Sequence, residues 1–134
     1  MENVTRRGTL LIVDDEPQSI EMIAHMLGQE YEILAATNGD DALDIATQYL
    51  PDLILLDVAM TGLDGYEVCR LLKGDASTRD IPVIFITIMA GDMFEKKALE
   101  LGAADYILKP MNPTMVRLRV KNIIELKFYR DEPN

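Results

Sequence analysis

The sequence is poor in the residues that would point to several common functions. It has no tryptophan, one cysteine, one histidine and 6% aromatics across 134 residues. The lone Cys69 excludes an internal disulfide and suits a reducing, cytoplasmic setting. No apolar run reaches transmembrane length. The opening "MENVTRRGT" has basic residues without an apolar stretch behind them, so it does not read as a signal peptide; the "LLIV" that follows is short and runs into "DDE". Basic residues are also scarce, 13 against 23 acids, giving a net charge of −10. Such a chain is a poor direct binder of nucleic acid, and its acids invite the question of whether some are gathered for a cation. There is no internal repeat and no low-complexity segment.

What is present is an ordinary soluble composition, 49% hydrophobic and 27% charged, in a length that suits one domain with one real core. Short β-rich runs alternate with helical patterns. The strand candidates are "TLLIV" (9–13), "YEILAA" (31–36), "DLILL" (52–56), "PVIFIT" (82–87) and "DYIL" (105–108). Runs such as "LLIV" and "VIFI" are apolar without alternation, as in a parallel sheet covered on both faces.

The helices between them have their own signals. The first starts near Pro17 and carries an Ile20, Ile23, Ala24, Leu27 stripe. The second covers roughly 39–48, and the third starts at Gly65 with Val68, Cys69, Leu71 and Leu72. The fourth is expected to open with Asp92 as cap and Glu95 completing a capping box, with Phe94, Ala98 and Leu101 inward and Gly102 at its end. The fifth has Asn112 as cap and Pro113 in first position. Five strands alternating with five helices predict a doubly wound α/β domain with right-handed crossovers.

In such folds ligands sit where the strands end. The stretch "PDLILLDVAMTGLDG" ends its apolar run on Asp57. "DDE", Asp14 to Glu16, follows the first strand; Thr87 ends the fourth; Lys109 and Pro110 follow the fifth. A strand-terminal aspartate is usually a cap or turn residue. Several acids, a hydroxyl and an ammonium on one rim are harder to assign to turns. Like charges about 4 Å apart repel by roughly 4 kcal/mol at an effective dielectric near 20. A hard divalent cation such as Mg²⁺ relieves that repulsion with oxygen ligands. An aspartate so placed, beside a lysine, can accept a phosphoryl group as an acyl phosphate.

These residues resemble those of response-regulator receiver domains, the CheY-like family. The motifs "LIVDDE", "LILLDVAMTGLDGYEVCRLLK", "VIFIT" and "GAADYILKP" carry the resemblance, which runs from about Thr9 to Phe128. It implies a flavodoxin-like sheet of order 2-1-3-4-5. The implied organisation is a flexible lead over 1–8, a receiver domain over 9–129, and a tail or linker start over 130–134. It implies that Asp57 accepts phosphate from a phosphohistidine on a sensor histidine kinase. By the same resemblance, Asp15 binds Mg²⁺ directly, Asp14 chiefly through water, and the Ala59 carbonyl and Asp57 complete the protein ligands. Lys109 would pair with the phosphate, Thr87 would hydrogen-bond it, and Tyr106 would change rotamer as Thr87 moves. Pro110 would set the Lys109 peptide, through a cis bond. The surface so switched comprises the fourth helix, fifth strand and fifth helix.

Two positions depart from the family pattern. Thr61 stands where proline is usual, so a looser loop is expected. Ile88 stands where a small residue is usual, and is expected to narrow access to Asp57. Ala59 and Met89 cannot orient an attacking water, which predicts slow self-dephosphorylation.

His25 falls opposite the apolar stripe of its helix and reads as a solvated residue. Cys69 and most methionines read as core. On the fifth helix, Val116, Val120, Ile123 and Ile124 form the inward stripe. Met115, Leu118, Leu126 and Tyr129 form a second one, read either as partly buried against the fourth helix, or as a homodimer surface or signalling helix leading into another domain. The tail "NIIELKFYRD" favours the latter, and resembles receivers joined to cyclic-di-GMP enzymes or sensor kinases. The competing functions are a phosphorylation-independent interaction module and an aspartyl-phosphate enzyme. Against the enzyme, Ala59 occupies the place where dehalogenase-like phosphatases keep a second acid. No turnover activity, no membrane partner and an unassigned output are expected.

Overall fold

The computed structural model describes residues 7–131. The chain alternates strictly: β1 (Thr9–Val13), α1 (Pro17–Leu27), β2 (Glu32–Ala36), α2 (Gly39–Tyr49), β3 (Leu53–Asp57), α3 (Gly65–Lys73), β4 (Val83–Thr87), α4 (Asp92–Glu100), β5 (Asp105–Leu108) and α5 (Pro113–Asp131). The strands form one sheet in the order β2-β1-β3-β4-β5, every neighbouring pair parallel. This is the doubly wound, five-stranded α/β architecture that the sequence predicts.

Residue parity along the strands builds two cores. Leu11, Val13, Ile54, Leu56, Val83 and Phe85 face one side, where they meet Ala42 and Ala46 of α2, Val68, Cys69 and Leu72 of α3, and Phe94 and Ala98 of α4. Leu10, Ile12, Leu53, Leu55, Ile84 and Ile86 face the other, against Ile23 and Leu27 of α1 and Val116, Val120 and Ile124 of α5. Every residue of β3 and β4 is buried, which explains their unbroken apolar sequence.

Local chemistry ends the helices much as expected. Asn38 and Asp64 accept from the backbone N–H groups of Asp41 and Glu67 and so cap α2 and α3. Asn112 accepts from the Met115 N–H at the start of α5. Gly102 takes φ +83° after α4; its N–H donates to Leu99 and the Ala103 N–H to Ala98, closing a Schellman turn.

The expected capping box on α4 does not form. Gly91, at φ 109°, is the N-cap, and no side chain caps the helix. Only glycine adopts that backbone readily, and it leaves Asp92 inside the first turn and Glu95 free to turn elsewhere. Some strand ends shift by one residue, most usefully at β3, which runs to Asp57 itself because the following Val58 N–H still donates to Ile86. Of the expected lead over 1–8, only Arg7 and Gly8 are described; of the expected tail, Arg130 and Asp131 continue α5, and 132–134 lie outside the described residues.

Candidate functional site

Strand register assembles the site. Val13 of β1 pairs with Leu56 of β3, so Asp14 and Asp57, one residue further along each strand, come side by side. Asp57 pairs with Ile86 of β4, which places Thr87 one step beyond it. Thr87 pairs with Leu108 of β5, which places Lys109 one step beyond again. Neighbouring strands that stop in this staggered way deliver acids, a hydroxyl and an ammonium to one rim.

The side chains then close on each other. The Lys109 ammonium lies 3.4 Å from Asp57 Oδ2 and 3.9 Å from Asp14 Oδ2. Asp57 Oδ1 accepts from the Ala59 N–H at 3.3 Å. Asp14 Oδ1 accepts from the Glu16 N–H at 2.9 Å, and Asp15 Oδ2 from the Thr61 N–H at 3.2 Å. Thr61 therefore ties the loop after β3 to Asp15 through its backbone, a bond that proline could not donate. The Thr87 hydroxyl accepts from the Met89 N–H at 2.8 Å. Lys109 and Pro110 are joined by a cis peptide.

Gly65 fixes the approach of α3 to the strand end. A Cβ there would stand 2.3 Å from the Asp57 carbonyl oxygen and 2.8 Å from Val58 Cα. Its N–H donates to the Val58 carbonyl at 2.9 Å. Gly62, at φ +76°, has no such crowding, and its role is the turn itself. The close packing at Gly65 shows only in three dimensions.

Burial and charge pull the Asp57 carboxyl in opposite directions. Its pKa is raised, first by burial and then by the neighbouring Asp14 charge; Lys109 and the Ala59 N–H act against the rise. Asp14, Asp15 and Asp57 can each bring one oxygen within 4.8 Å of the others. Asp14 Oδ2 is buried and, among the described residues, has no hydrogen-bond donor. A buried carboxylate oxygen left without a donor is costly. A hard cation bound to this all-oxygen set would satisfy it, and the size and chemistry of the set suit Mg²⁺.

Tyr106 is half-buried on β5. Its ring stands edge-on to Phe94, with centroids 5.2 Å apart, and its hydroxyl donates to Glu95 Oε2 at 3.2 Å. Arg119 of α5 donates to both oxygens of Asp105 at 2.9 Å. The sequence pattern places Glu95 in a cap and signals neither the Glu95–Tyr106 nor the Arg119–Asp105 contact, because it does not show which turns of α4 and α5 lie over β5.

Ile88 is 78% exposed and directed to solvent, away from the covering position its bulk suggested. His25 is exposed on α1, as its position opposite the stripe implies. Met115, Leu118, Leu126 and Tyr129 are 42%, 49%, 53% and 79% exposed, so α4 does not cover them.

Comparison with known proteins gives the family and the fold. Residues 10–121 match the model of the response regulator receiver domain family. The chain is 41% identical over 124 residues to "Response regulator PleD" of Caulobacter vibrioides, covering 92% of this chain and 27% of that protein. It is 42% identical over 123 residues to the Vibrio cholerae protein named "Probable cyclic di-GMP phosphodiesterase", covering 92% of this chain and 28% of that one. Among solved structures, the signal receiver domain of a signal transduction histidine kinase from Syntrophus aciditrophicus superposes with a TM-score of 0.80 at 38% identity, over 88% of this chain and 90% of the other. The chain thus spans little more than a quarter of the two sequence relatives.

Proposed function

The chain belongs to the response regulator receiver domain family of two-component systems, and from that premise we propose that Asp57 is its phosphoacceptor. The observation that carries the proposal is the convergence of Asp57, Asp14, Asp15, Thr87 and Lys109 on one rim of the sheet.

An Asp57 carboxylate oxygen attacks phosphorus, and the bond from phosphorus to the donor imidazole nitrogen breaks. The donor's ring keeps the electron pair and a proton is taken up there. The carboxylate is held by one donor on each oxygen, the Ala59 N–H on Oδ1 and Lys109 on Oδ2, and the Lys109 ammonium stays beside the added charge. Mg²⁺ would be held by Asp15, Asp57 and the Ala59 carbonyl, with Asp14 acting chiefly through water. When bound, it supplies positive charge that neutralises the acids and stabilises the transferring oxygens. Ala59 offers no side chain to activate water, so the adduct is long-lived and the chain is no turnover enzyme.

Thr87 turns its hydroxyl from the Met89 N–H toward the new phosphoryl oxygens, and Tyr106 changes rotamer in response. The α4–β5–α5 surface is thereby altered. The donor is a sensor histidine kinase. The output is a further domain or partner, with cyclic-di-GMP enzymes the class to which the name of the Vibrio cholerae relative points. No nucleic acid or membrane contact is part of the proposal; among the described residues no helix is long and apolar enough to cross a membrane. The exposed stripe Met115, Leu118, Leu126, Tyr129 is assigned to a homodimer through α5. A phosphorylation-independent module gains no support from a site whose acids, threonine and lysine are all in place.

Intact mass after incubation with Mg²⁺ and a small acyl phosphate tests the core of this reading. One phosphoryl adduct is expected, absent in Asp57→Asn and without Mg²⁺. An adduct that persists in Asp57→Asn would overturn it.

A further inference from the structure

The contact between Glu95 and Tyr106 is not required by packing. Glu95 is exposed, on the solvent side of α4, while its neighbour Phe94 is the residue that faces the core. The same turn of α4 nevertheless grips Tyr106 twice. Phe94 meets the ring edge-on at an interplanar angle of 78°, and the Glu95 carboxylate accepts from the hydroxyl at 3.2 Å. The charge of Glu95 raises the Tyr106 pKa, followed by the hydrogen bond itself, with Arg119 acting against the rise. A hydrogen bond to an ionised acceptor is among the stronger single polar contacts.

This turn of α4 is also mechanically close to the phosphorylation site. Thr87 ends β4 and holds the Met89 N–H. Two residues later comes Gly91 at φ 109°, which starts α4, and the Glu95 N–H donates to the Gly91 carbonyl at 3.0 Å. A short path therefore runs from the Thr87 hydroxyl, through a glycine hinge, to the helix turn that carries Phe94 and Glu95. Both ends of that path are engaged in the same conformation, Thr87 with Met89 and Tyr106 with Glu95.

We propose that Glu95 is the positioning residue of the switch: its carboxylate holds the Tyr106 hydroxyl on the exposed side of α4, and release of Met89 by Thr87 loosens the turn that carries it. The inference rests on Asp57 and Thr87 acting as proposed above, but the Glu95 contact is testable without phosphorylation. Glu95 acts through Tyr106 and touches neither the phosphoryl group nor Asp57. Because the two orientations of Tyr106 are in equilibrium, removing the latch favours the other state, and by linkage favours the phosphorylation that selects that state.

The test places 3-fluorotyrosine at position 106 and records ¹⁹F spectra of the unphosphorylated protein. Glu95→Ala should shift the rotamer ratio about three- to tenfold away from the parent, the range expected for one solvent-exposed hydrogen bond of ordinary net strength. Glu95→Gln, which keeps an acceptor but no charge, should fall between. Both variants should stay folded and melt within a few degrees of the parent, since the residue is exposed and a single hydrogen bond is lost. Phosphorylation by a small acyl phosphate should be faster in Glu95→Ala by no more than the same factor, and this gain should vanish in a Tyr106→Phe background, where the donor hydroxyl is gone. A Glu95→Ala spectrum superposing on the parent's would overturn the latch, as would a rate gain that survives in Tyr106→Phe. If no variant, the parent included, takes up phosphate, the Asp57 reading fails, while the ¹⁹F comparison still decides the role of Glu95.

Discussion

Asp57 is buried beside the Asp14 carboxylate, with Lys109 only partly offsetting both effects, and its protonation carries a stability consequence. A carboxyl whose pKa is raised on folding binds its proton more readily folded than unfolded. Stability is therefore fully present below the unfolded value, about 3.9, and is lost as pH rises through the folded value. Asp57→Asn removes that loss. The variant should gain on the order of 1 kcal/mol at neutral pH, the size of a typical single-site effect, and the gain should vanish near pH 3. Urea titrations at the two pH values check this, and a variant equally stabilised at both would show that the gain has another cause. Gly65→Ala works in the opposite direction. Its Cβ would collide with the backbone of Asp57 and Val58, which cannot yield as a flexible side chain can. A loss of about 3 kcal/mol is expected from the same titration. The acids, Thr87 and Lys109 were legible in the sequence because each ends or follows an apolar strand. The crowding at Gly65 was not, since it arises between α3 and β3. Nor was the Glu95–Tyr106 bond, since Glu95 also fits a capping pattern.

At the scale of elements, α5 shows two opposed faces. Val116, Val120 and Ile124 are buried against the sheet, while Met115, Leu118, Leu126 and Tyr129 face solvent. At 100° per residue these four fall in one stripe along the helix, with the polar Asn122 in its middle. The faces respond differently to substitution. Ile124→Ala, in the core, should cost about 2–4 kcal/mol. Leu118→Glu and Leu126→Glu should change stability by less than about 0.5 kcal/mol, yet abolish self-association in sedimentation experiments on the phosphorylated protein. A dimer that persists in both variants would place the contact elsewhere. Both stripes were readable from spacing alone. That α4 leaves the second stripe bare was not, because helix spacing says nothing about how far a neighbouring helix reaches.

Across the whole molecule, charge is the dominant theme. The net charge is −10, three of the acids meet at the strand ends, and among the described residues Asp14 Oδ2 is buried without a hydrogen-bond donor. Mg²⁺ at about a hundredfold over its Kd should therefore raise stability by about 2.7 kcal/mol. The rise should be smaller in Asp15→Asn, as read by thermal melts with and without the ion. A rise as large in that variant as in the parent would detach the ion from this cluster. The alternation of strands and helices made the fold legible in outline, because continuous apolar runs demand a sheet covered on both faces. The staggered register that unites the site lay beyond the sequence, since it depends on how each strand slides against the next.

The measurement that bears most directly on the central claim is the location of the phosphoryl group. The protein would be phosphorylated with Mg²⁺ and a small acyl phosphate, the acyl phosphate reduced with borohydride, and the peptides mapped by mass. The account predicts reduction at residue 57 alone. Reduction at Asp14 or Asp15, or a stable phosphohistidine at His25 with residue 57 untouched, would contradict it.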